Sequence, residues 1–258
     1  MDLTFHKYQG TGNDFVIIDN RNDIFPKKNT ETINNLCNRY FGIGADGLIL
    51  LENHDTTDFK MVYFNADGNE STMCGNGGRC IVAFAHKLNL FDEKTTFMAI
   101  DGLHHATIKS NIVSLQMIDV NTIKVEEQYA FTNTGSPHHV QLVENIAEFD
   151  VVSVGRKLRN KIYGTEGSNI NFAEQQNETT FRVRTYERGV EDETLACGTG
   201  VTAVAIAMHK TKKTTSNAVN LLVEGGKLAV SFEIKNDIYS NIHLTGSADF
   251  VFTGTIKI

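Results

Sequence analysis

Two stretches of this sequence decide the fold: residues 70–87, ESTMCGNGGRCIVAFAHK, and residues 193–210, ETLACGTGVTAVAIAMHK. Both read Cys-Gly-x-Gly followed by an apolar, alanine-rich run, which predicts a helix that begins just after the cysteine. The two cysteines, Cys74 and Cys197, are 123 residues apart. A motif of this kind that occurs twice predicts an internal duplication, with one thiol at the same corner of each half.

The same offset of 123 residues relates glycines elsewhere in the chain. It pairs Gly12 with Gly135, Gly44 with Gly167, and Gly102 with Gly225. Glycines in one register are informative because they mark turns that the backbone must make. We therefore expect two domains, residues 1–122 and 123–248, with the last strand, 249–258, completing the first.

Hydrophobic patterning predicts that each half is strand-rich around one central helix, which is an α+β fold. The first half has predicted strands at 3–8, 14–19, 47–51, 58–65, 97–100, 104–108 and 112–118. The second half repeats the last three at 221–223, 227–234 and 238–244. Thr30 is the predicted cap of an outer helix that runs to about Tyr40, and Ser153 occupies the matching place before residues 154–161.

Composition limits the classes of function. The formal charge of −7 over 258 residues argues against nucleic acid or an anionic membrane surface as the main partner. No apolar run approaches the roughly 20 residues of a membrane span, and the first residues lack the apolar core of a signal peptide. The four cysteines show neither a disulfide framework nor Cys-x-x-Cys, so we expect a reducing cytoplasm and no metal site.

A thiol at the start of a helix ionises more readily than an ordinary cysteine. The first N–H groups of a helix carry partial positive charge, which stabilises a thiolate and can also hold a carboxylate. Two such corners would supply a base, an acid and a carboxylate site. Cys37 and Cys80 are instead expected to be buried core residues, and His86 and His209 to lie at the ends of the central helices.

Eight segments give the chain a specific resemblance over essentially its whole length. They are GTGNDF at 10–15, FGIGADG at 41–47, FNADG at 64–68, MCGNGGR at 73–79, GSPH at 135–138, GSNINF at 167–172, YERG at 186–189 and TLACGTG at 194–200. Their order and combination resemble the diaminopimelate epimerase family of pyridoxal-independent amino acid epimerases. The resemblance implies two pseudo-symmetric α+β domains, each a curled sheet around a central helix, with the active site in the cleft between them.

The resemblance also implies roles for individual residues, and it implies no cofactor. The implied catalytic pair is Cys74 and Cys197, and the residues implied to tune these thiols are His138 and Glu187. The implied substrate-binding residues are Asn13, Asn65, Gly75, Asn76, Asn169, Glu187, Arg188, Gly198 and Thr199. Ser136 and Gly47 depart from the family pattern, since many members carry Asn and some carry Gln at these places. The segment 187–197 also looks one residue longer than in many members.

The function implied is the interconversion of LL- and meso-2,6-diaminopimelate by two-cysteine proton transfer, in lysine and peptidoglycan precursor synthesis. The expected partner is a small amino acid substrate, and the expected assembly is a homodimer. Two alternatives stay open. One is a proline racemase-like enzyme, against which the YERG segment and the asparagines argue. The other is a non-catalytic carboxylate-binding module, which would be expected to lose one of the two thiols.

Overall fold

A computed structural model describes residues 2–258, which form eighteen strands and four helices. The elements up to the first central helix are β1 (Asp2–Gly10), β2 (Asn13–Asp19), α1 (Thr30–Cys37), β3 (Gly47–Glu52), β4 (Phe59–Asn65), β5 (Glu70–Ser71) and α2 (Gly75–Lys87). There follow β6 (Lys94–Ala99), β7 (Gly102–Lys109), β8 (Ile112–Gln116), β9 (Ile123–Val125), β10 (Ala130–Asn133), β11 (Pro137–Leu142) and α3 (Val151–Tyr163). The last are β12 (Asn169–Asn177), β13 (Thr180–Glu187), β14 (Asp192–Thr194), α4 (Gly198–Lys210), β15 (Ala218–Val223), β16 (Gly226–Lys235), β17 (Ile238–Ser247) and β18 (Asp249–Lys257).

The chain divides into two compact units. The N-terminal unit is the chain up to Leu115 together with Gly246–Ile258, and the C-terminal unit is Gln116–Thr245. The final strand, β18, belongs to the N-terminal unit because it pairs antiparallel with β1 along its whole length, with Leu3 opposite Ile256. None of the helices in the described part of the chain is long and apolar enough to cross a membrane.

Strand pairing follows the same order in the two units. In the N-terminal unit β2 and β3 are parallel, β3 and β4 antiparallel, β4 and β6 parallel, and β6 and β7 antiparallel. In the C-terminal unit the pairs β11–β12, β12–β13, β13–β15 and β15–β16 repeat this alternation. The central helices α2 and α4 have the same length and begin 123 residues apart, as the duplicated motif predicts.

Helices cover both faces of the N-terminal sheet, so its inner strands are apolar along their whole length. The run from Phe15 to Ile18 in β2 and that from Leu48 to Leu51 in β3 are fully buried. Successive side chains of a strand point to opposite faces. Val16, Leu48 and Leu50 pack with the residues of α1, while Phe15 and Ile49 lie against Gly77 of α2. Each unit is thus a sheet between an outer and a central helix.

The C-terminal unit follows the same plan. The outer helix α3 packs on the sheet through a cluster that includes Val151, Ile170, Phe172 and Tyr186. The central helix α4 is apolar on nearly every side, and ten of its thirteen residues are buried. A helix of that kind is stable only when it is enclosed by the rest of the fold.

Two predicted helix starts are wrong. Asn29, not Thr30, caps α1, since its side chain accepts from the N–H of Thr32 at 3.1 Å. The helix ends at Cys37, short of Tyr40, because the Asn38 side chain accepts from the next backbone amides and holds a turn there. Ser153 does not precede its helix: α3 begins at Val151, and its cap is Asp150, which accepts from the N–H of Ser153 at 3.0 Å.

The predicted strands are found with shifted ends, and several were not predicted. β6 begins three residues before the predicted 97, and β8 ends at Gln116, short of 118. No strand is predicted between residues 123 and 194, whereas the structure has β9 to β14 there. The C-terminal half of β12 is polar, with Glu174, Gln175 and Asn177. The apolar pattern that indicates a strand is therefore absent from that half.

Candidate active site

The first candidate corner is the start of α2. Cys74 is the N-cap residue of this helix, with an extended backbone, and Gly75 and Asn76 form the first turn. The side chain of Cys74 does not cap the helix. The leading N–H groups of the helix have no intrahelical acceptor, so this end attracts negative charge. A carboxylate and a thiolate are the two anions that such a corner suits.

Asn13 and Asn76 lie beside the thiol of Cys74. The Sγ atom of Cys74 lies 3.6 Å from Oδ1 of Asn13, which also accepts from Nδ2 of Asn76 at 3.3 Å. The other end of the Asn13 amide donates to the carboxylate of Asp46 at 2.5 Å. Because a carboxylate can only accept, Asn13 must present its oxygen to the thiol.

Asn65, another predicted substrate-binding residue of this unit, lies at the end of a strand. Asn65 closes β4, is exposed, and lies opposite Gly47 of β3. Its backbone N–H is engaged with the carbonyl of Asn69 at 3.0 Å. It therefore lies at the same sheet edge as Asp46, which holds Asn13.

Ion pairs hold this edge together. Arg39 donates to Asp14 at 2.7 Å and to Asp46 at 2.6 Å, and Lys7 forms an ion pair with Asp14 at 2.6 Å. Burial opposes the ionisation of Asp14, but the hydrogen bonds from Arg39 and Lys7 outweigh it and lower the pKa of Asp14 to about 2. The pairs fix the position of Asp46 and, through it, the amide of Asn13.

Arg79 is a further functional candidate, although the sequence marks it only as a member of the MCGNGGR motif. Its guanidinium is completely buried and donates to neutral oxygens: Oδ1 of Asn76 at 3.0 Å, Oγ1 of Thr11 at 3.2 Å and the carbonyl of Gly75 at 3.3 Å. Its Nε donates to the carbonyl of Ser247 at 3.4 Å. Burial lowers the pKa of Arg79, and attraction to Cys80 and Cys74 opposes that shift. The cation fixes Asn76 and adds positive charge under the first corner.

The second candidate corner is the start of α4. Cys197 is its N-cap residue and is buried, with 8% of its surface exposed. Its Sγ atom lies 3.5 Å from the side-chain hydroxyl of Thr199. The backbone carbonyl of Thr199 accepts a hydrogen bond from the hydroxyl of Thr134 at 2.8 Å. Gly198 and Thr199 form the first turn, so the geometry of the first corner recurs.

His138 reaches this second corner through Thr199. Its Nε2 atom lies 2.9 Å from Oγ1 of Thr199, and its Nδ1 atom lies 3.1 Å from Nδ2 of Asn171. Burial, with repulsion from Arg188 added, lowers the pKa of His138 to about 3. The imidazole is therefore neutral near pH 7. Neither Asn171 nor its contact with His138 was anticipated from the sequence.

Glu187 and Arg188 lie where β13 ends. The carboxylate of Glu187 accepts from the hydroxyl of Thr194 at 2.9 Å. The backbone N–H of Arg188 donates to Oδ1 of Asn169 at 2.8 Å, and its guanidinium, which is exposed, donates to the carbonyl of Glu166 at 3.0 Å. Asn169 is buried at the start of β12 and fixes the backbone at Arg188.

The segment after Arg188 is anchored by one carboxylate. Glu191, with a positive φ of 59°, accepts from Nε of Arg159 at 3.0 Å and from the hydroxyl of Tyr186 at 3.0 Å. The N–H of Gly189 donates to the same carboxylate at 3.1 Å. These bonds tie the segment to α3 and β13.

Gly47 and Ser136, which are expected to depart from the family pattern, each have a defined contact in the structure. A Cβ atom on Gly47 would lie 2.6 Å from the ring of Tyr63 and from the carbonyl of Phe64, so the Tyr63 ring takes the space that a side chain at 47 would need. The carbonyl of Ser136 accepts from the N–H of Thr134 at 3.2 Å in a turn before β11.

The other two cysteines are in the core. Cys37 is 3% exposed and Cys80 is completely buried. Burial raises the pKa of Cys37 to about 12 and raises the pKa of Cys80 further. Both thiols are therefore protonated and unreactive near pH 7. His86 and His209 lie in the last turns of α2 and α4, as predicted, and His209 contacts the hydroxyl of Tyr239 at 2.8 Å.

The buried histidines predict how stability depends on pH. Burial lowers the pKa of His138 to about 3 and that of His139 to about 4, so both stay neutral in the native protein. The unfolded chain binds their protons below about pH 6.5. Stability is therefore full above pH 6.5 and falls as the pH drops towards 4, by up to about 1.4 kcal/mol per pH unit for each group.

Urea denaturation at pH 8, 6.5, 5.5 and 5 measures this loss. His139→Gln, which removes one of the two protonation sites, should have a smaller slope of unfolding free energy against pH. A slope near zero between pH 6.5 and 5 in the wild-type protein would contradict the assignment of two neutral buried imidazoles.

Glycine at position 200 is needed for a reason that its repeat partner lacks. A Cβ atom on Gly200 would lie 2.4 Å from Oδ1 of Asn171, whereas one on Gly77 would come no closer than 3.2 Å to another atom, the flexible end of Ile49. Gly200→Ala should displace Asn171 and lower the unfolding free energy by about 1–3 kcal/mol. Gly77→Ala is the matched control and should cost less, as measured by thermal unfolding. An equal or smaller loss for Gly200→Ala would show that Asn171 is not held as described.

Solved structures show that the fold is shared with other proteins. A phenazine biosynthesis protein of the PhzF family from Bacillus anthracis superposes with a TM-score of 0.79 at 13% identity, covering 100% of both chains. A probable proline racemase from Agrobacterium radiobacter superposes with a TM-score of 0.68 at 12% identity, covering 99% of this chain and 93% of that one. At these identities the likeness concerns the fold alone.

Sequence comparison shows the family. The model of the diaminopimelate epimerase family matches residues 5–122 and 130–251. A diaminopimelate epimerase from Flavobacterium psychrophilum is 63% identical over 256 residues, covering 98% of this chain and 100% of the relative. One from Chlorobaculum tepidum is 42% identical over 259 residues, covering 96% and 99%. The chain therefore belongs to the diaminopimelate epimerase family.

Proposed function

We propose that this chain interconverts LL- and meso-2,6-diaminopimelate by proton transfer, without pyridoxal phosphate. The observation that carries the proposal is the repeat of one arrangement: in each unit, a cysteine is the N-cap residue of the central helix. A single thiol at a helix start would suit many activities. Two such thiols, in a chain of this family, suit a reaction that needs one acid and one base.

Cys74 and Cys197 are the proposed acid and base. One acts as a thiolate and removes the α-proton, and the other, as a thiol, delivers a proton to the opposite face of the carbon. The C–H bond breaks on one side and a new C–H bond forms on the other, so the carbon is inverted and no electrons are gained or lost. The roles exchange when the reaction runs in reverse.

The helix starts stabilise the charge that develops. As the α-proton leaves, the substrate carboxylate takes on enolate character and its negative charge increases. The N–H groups of Gly75 and Asn76, and those of Gly198 and Thr199, belong to the first turns of α2 and α4. Dipoles already aimed at such a charge cost no reorganisation during the reaction. The buried guanidinium of Arg79 adds a full positive charge below the first of these turns.

The distal amino acid head of diaminopimelate needs its own partners. We assign its recognition to Glu187 and Arg188, together with Asn13, Asn65 and Asn169. The support is that Glu187 and Arg188 follow each other at the end of β13 and carry opposite charges, while Asn169 fixes the backbone between them. A substrate ammonium and carboxylate require this pair of charges.

His138 and Glu187 are proposed to tune the thiols. The contact from His138 to Thr199, and from Thr199 to Cys197, supports this role for His138. We further propose a homodimer that works in the cytoplasm, in the synthesis of lysine and of peptidoglycan precursors. The family resemblance supports the biosynthetic role, and the cysteine usage supports a reducing compartment.

A turnover assay tests the function. Purified protein with reductant and no added cofactor should convert LL-diaminopimelate to a mixture with the meso isomer, as followed by chiral chromatography. L-Proline should remain unchanged under the same conditions. Racemisation of proline at a similar rate would support the proline racemase-like alternative. Binding of diaminopimelate without conversion would support a carboxylate-binding module.

A further inference from the structure

A chain of buried polar side chains leads to the thiol of Cys197. Thr185 donates to Oδ1 of Asn171 at 3.0 Å, and Nδ2 of Asn171 lies 3.1 Å from Nδ1 of His138. Nε2 of His138 lies 2.9 Å from the hydroxyl of Thr199, which lies 3.5 Å from Sγ of Cys197. Thr185, Asn171 and His138 are each at most 3% exposed.

Comparison of the two halves of the protein shows how unusual this row of hydrogen-bonded polar side chains is. In the first half, Ile49 lies against Gly77 of the central helix as Asn171 lies against Gly200, and Phe15 stands 123 positions before His138; Ile49 and Phe15 are both buried and apolar. The second half therefore has two polar side chains, Asn171 and His138, at core positions where the first half has hydrocarbon. Burying polar groups costs free energy unless every one is hydrogen-bonded, so a structural need alone would favour the apolar set.

The contact between Asn171 and the backbone carbonyl of His139 fixes the direction of these hydrogen bonds. Asn171 lies 2.8 Å from the carbonyl of His139, which can only accept. The amide group that faces this carbonyl is therefore the NH₂ group, and Oδ1 faces Thr185. The second hydrogen of the same NH₂ group points to Nδ1 of His138, which must accept it.

The orientation of the Asn171 amide decides which ring nitrogen of His138 donates towards Thr199 and Cys197. His138 is neutral, so a ring that accepts at Nδ1 carries its hydrogen at Nε2. That hydrogen is donated to the hydroxyl of Thr199. The hydroxyl accepts from the imidazole, and its own hydrogen is then directed to Sγ of Cys197. A hydrogen bond donated to sulfur stabilises the thiolate over the thiol.

We infer that Asn171 and Thr199 are positioning residues: Asn171 holds His138 in the Nε2–H tautomer, and the hydroxyl of Thr199 donates to Cys197 and favours its thiolate. The inference deepens the proposed function, since it concerns one of the two proposed acid–base thiols. The motif residue Gly200 is part of this arrangement because it leaves room for Oδ1 of Asn171.

Charged and titratable groups also lie near these hydrogen-bonded side chains. Arg188, at the end of β13, repels a proton from His138 and so favours the neutral ring. Glu187, beside it, carries negative charge and accepts from Thr194. His139, next along β11, uses its Nδ1 atom at 2.9 Å from the hydroxyl of Tyr163 and its Nε2 atom at 3.4 Å from Gln141, away from Cys197.

The tautomer can be measured in the unaltered protein. In a ¹⁵N-labelled sample at pH 7.5, the ring nitrogens of His138, assigned by their loss in His138→Gln, should show a protonated Nε2 and an unprotonated Nδ1. An Nδ1–H tautomer or a doubly protonated ring would overturn the inference. The tautomer is read from the wild-type protein, and the variant serves only to assign its signals.

The effect on the thiol is measured by alkylation. The rate of reaction of Cys197 with iodoacetamide, followed by peptide mass spectrometry from pH 5 to 10, gives the fraction of thiolate. Thr199→Val should slow alkylation at pH 7 about tenfold and move the midpoint up by about one pH unit, the effect of losing one hydrogen bond to a charged group. Thr199→Ser should restore the wild-type profile.

Thr202→Val is the matched control. Thr202 lies in the same helix, but its hydroxyl donates to the carbonyl of Gly198 at 2.9 Å and not to the thiol, so this variant should alkylate like the wild type. An unchanged Cys197 profile in Thr199→Val would overturn the inference. Because alkylation needs no turnover, the predicted profile in a protein that does not convert diaminopimelate would refute the proposed function and leave this inference standing.

Discussion

Cys74→Ala and Cys197→Ala should each abolish epimerisation of diaminopimelate. Removing a positioned acid or base lowers the rate by about 10²–10⁴-fold or more, and a carbon cannot be inverted by an acid without a base. The effect should be in kcat, because the alanine side chain leaves the helix start and its N–H groups in place. Chiral chromatography of the product measures the loss.

The two core cysteines supply matched controls. Cys37→Ala and Cys80→Ala should keep near-normal kcat and lose at most about 1–3 kcal/mol of stability, because these side chains are buried and only pack. A Cys197→Ala protein with near-normal turnover would refute the two-thiol mechanism, and so would loss of turnover in a stably folded Cys37→Ala protein.

Loss of the distal carboxylate of the substrate should have the next largest effect. L-Lysine differs from diaminopimelate only in lacking the distal carboxylate, and kcat/KM should fall by about 10⁴-fold. A site built for a polar group discriminates strongly against an analogue that leaves its own groups unpaired. Arg188→Leu should lower kcat/KM for diaminopimelate by roughly 10²-fold, since an unpaired charge in a binding site costs about 2–5 kcal/mol.

Arg182→Leu is the control for this second prediction. Arg182 lies on the same strand, β13, but donates to Glu224 at 2.8 Å and has no place in the proposed site. It should leave kcat/KM unchanged. Similar values of kcat/KM for lysine and diaminopimelate, or a fully active Arg188→Leu variant, would contradict the assignment of the distal head to Arg188.

The parts of the fold that a repeated local motif determines could be predicted from the sequence. The α+β fold class and the family are confirmed. The starts of α2 and α4 were predicted because Cys-Gly-x-Gly and the apolar run after it act locally. The outer helices were predicted with wrong caps because Asn29 and Thr30, like Asp150 and Ser153, are all good capping residues, and only the geometry selects between neighbours.

The contacts of the candidate site could not be predicted where they join distant segments. Arg79 bonds Thr11 and Ser247, which are far from it in sequence, so nothing local marks it as buried. Asn171 matters because it meets His138 across two paired strands. A signal was nonetheless present, since polar Asn171 lies between apolar Ile170 and Phe172 in a run that is otherwise typical of a buried strand. The catalytic and binding roles taken from the family resemblance stay predictions.

Proton exchange during turnover tests the central claim most directly. LL-diaminopimelate is incubated in D₂O with the purified protein and reductant, without cofactor, and early time points are read by proton NMR. Two thiols acting as acid and base should give meso product that carries deuterium at the inverted carbon, while the remaining LL substrate keeps its α-proton. Meso product that retains the original proton at that carbon, or no conversion until pyridoxal phosphate is added, would contradict the account.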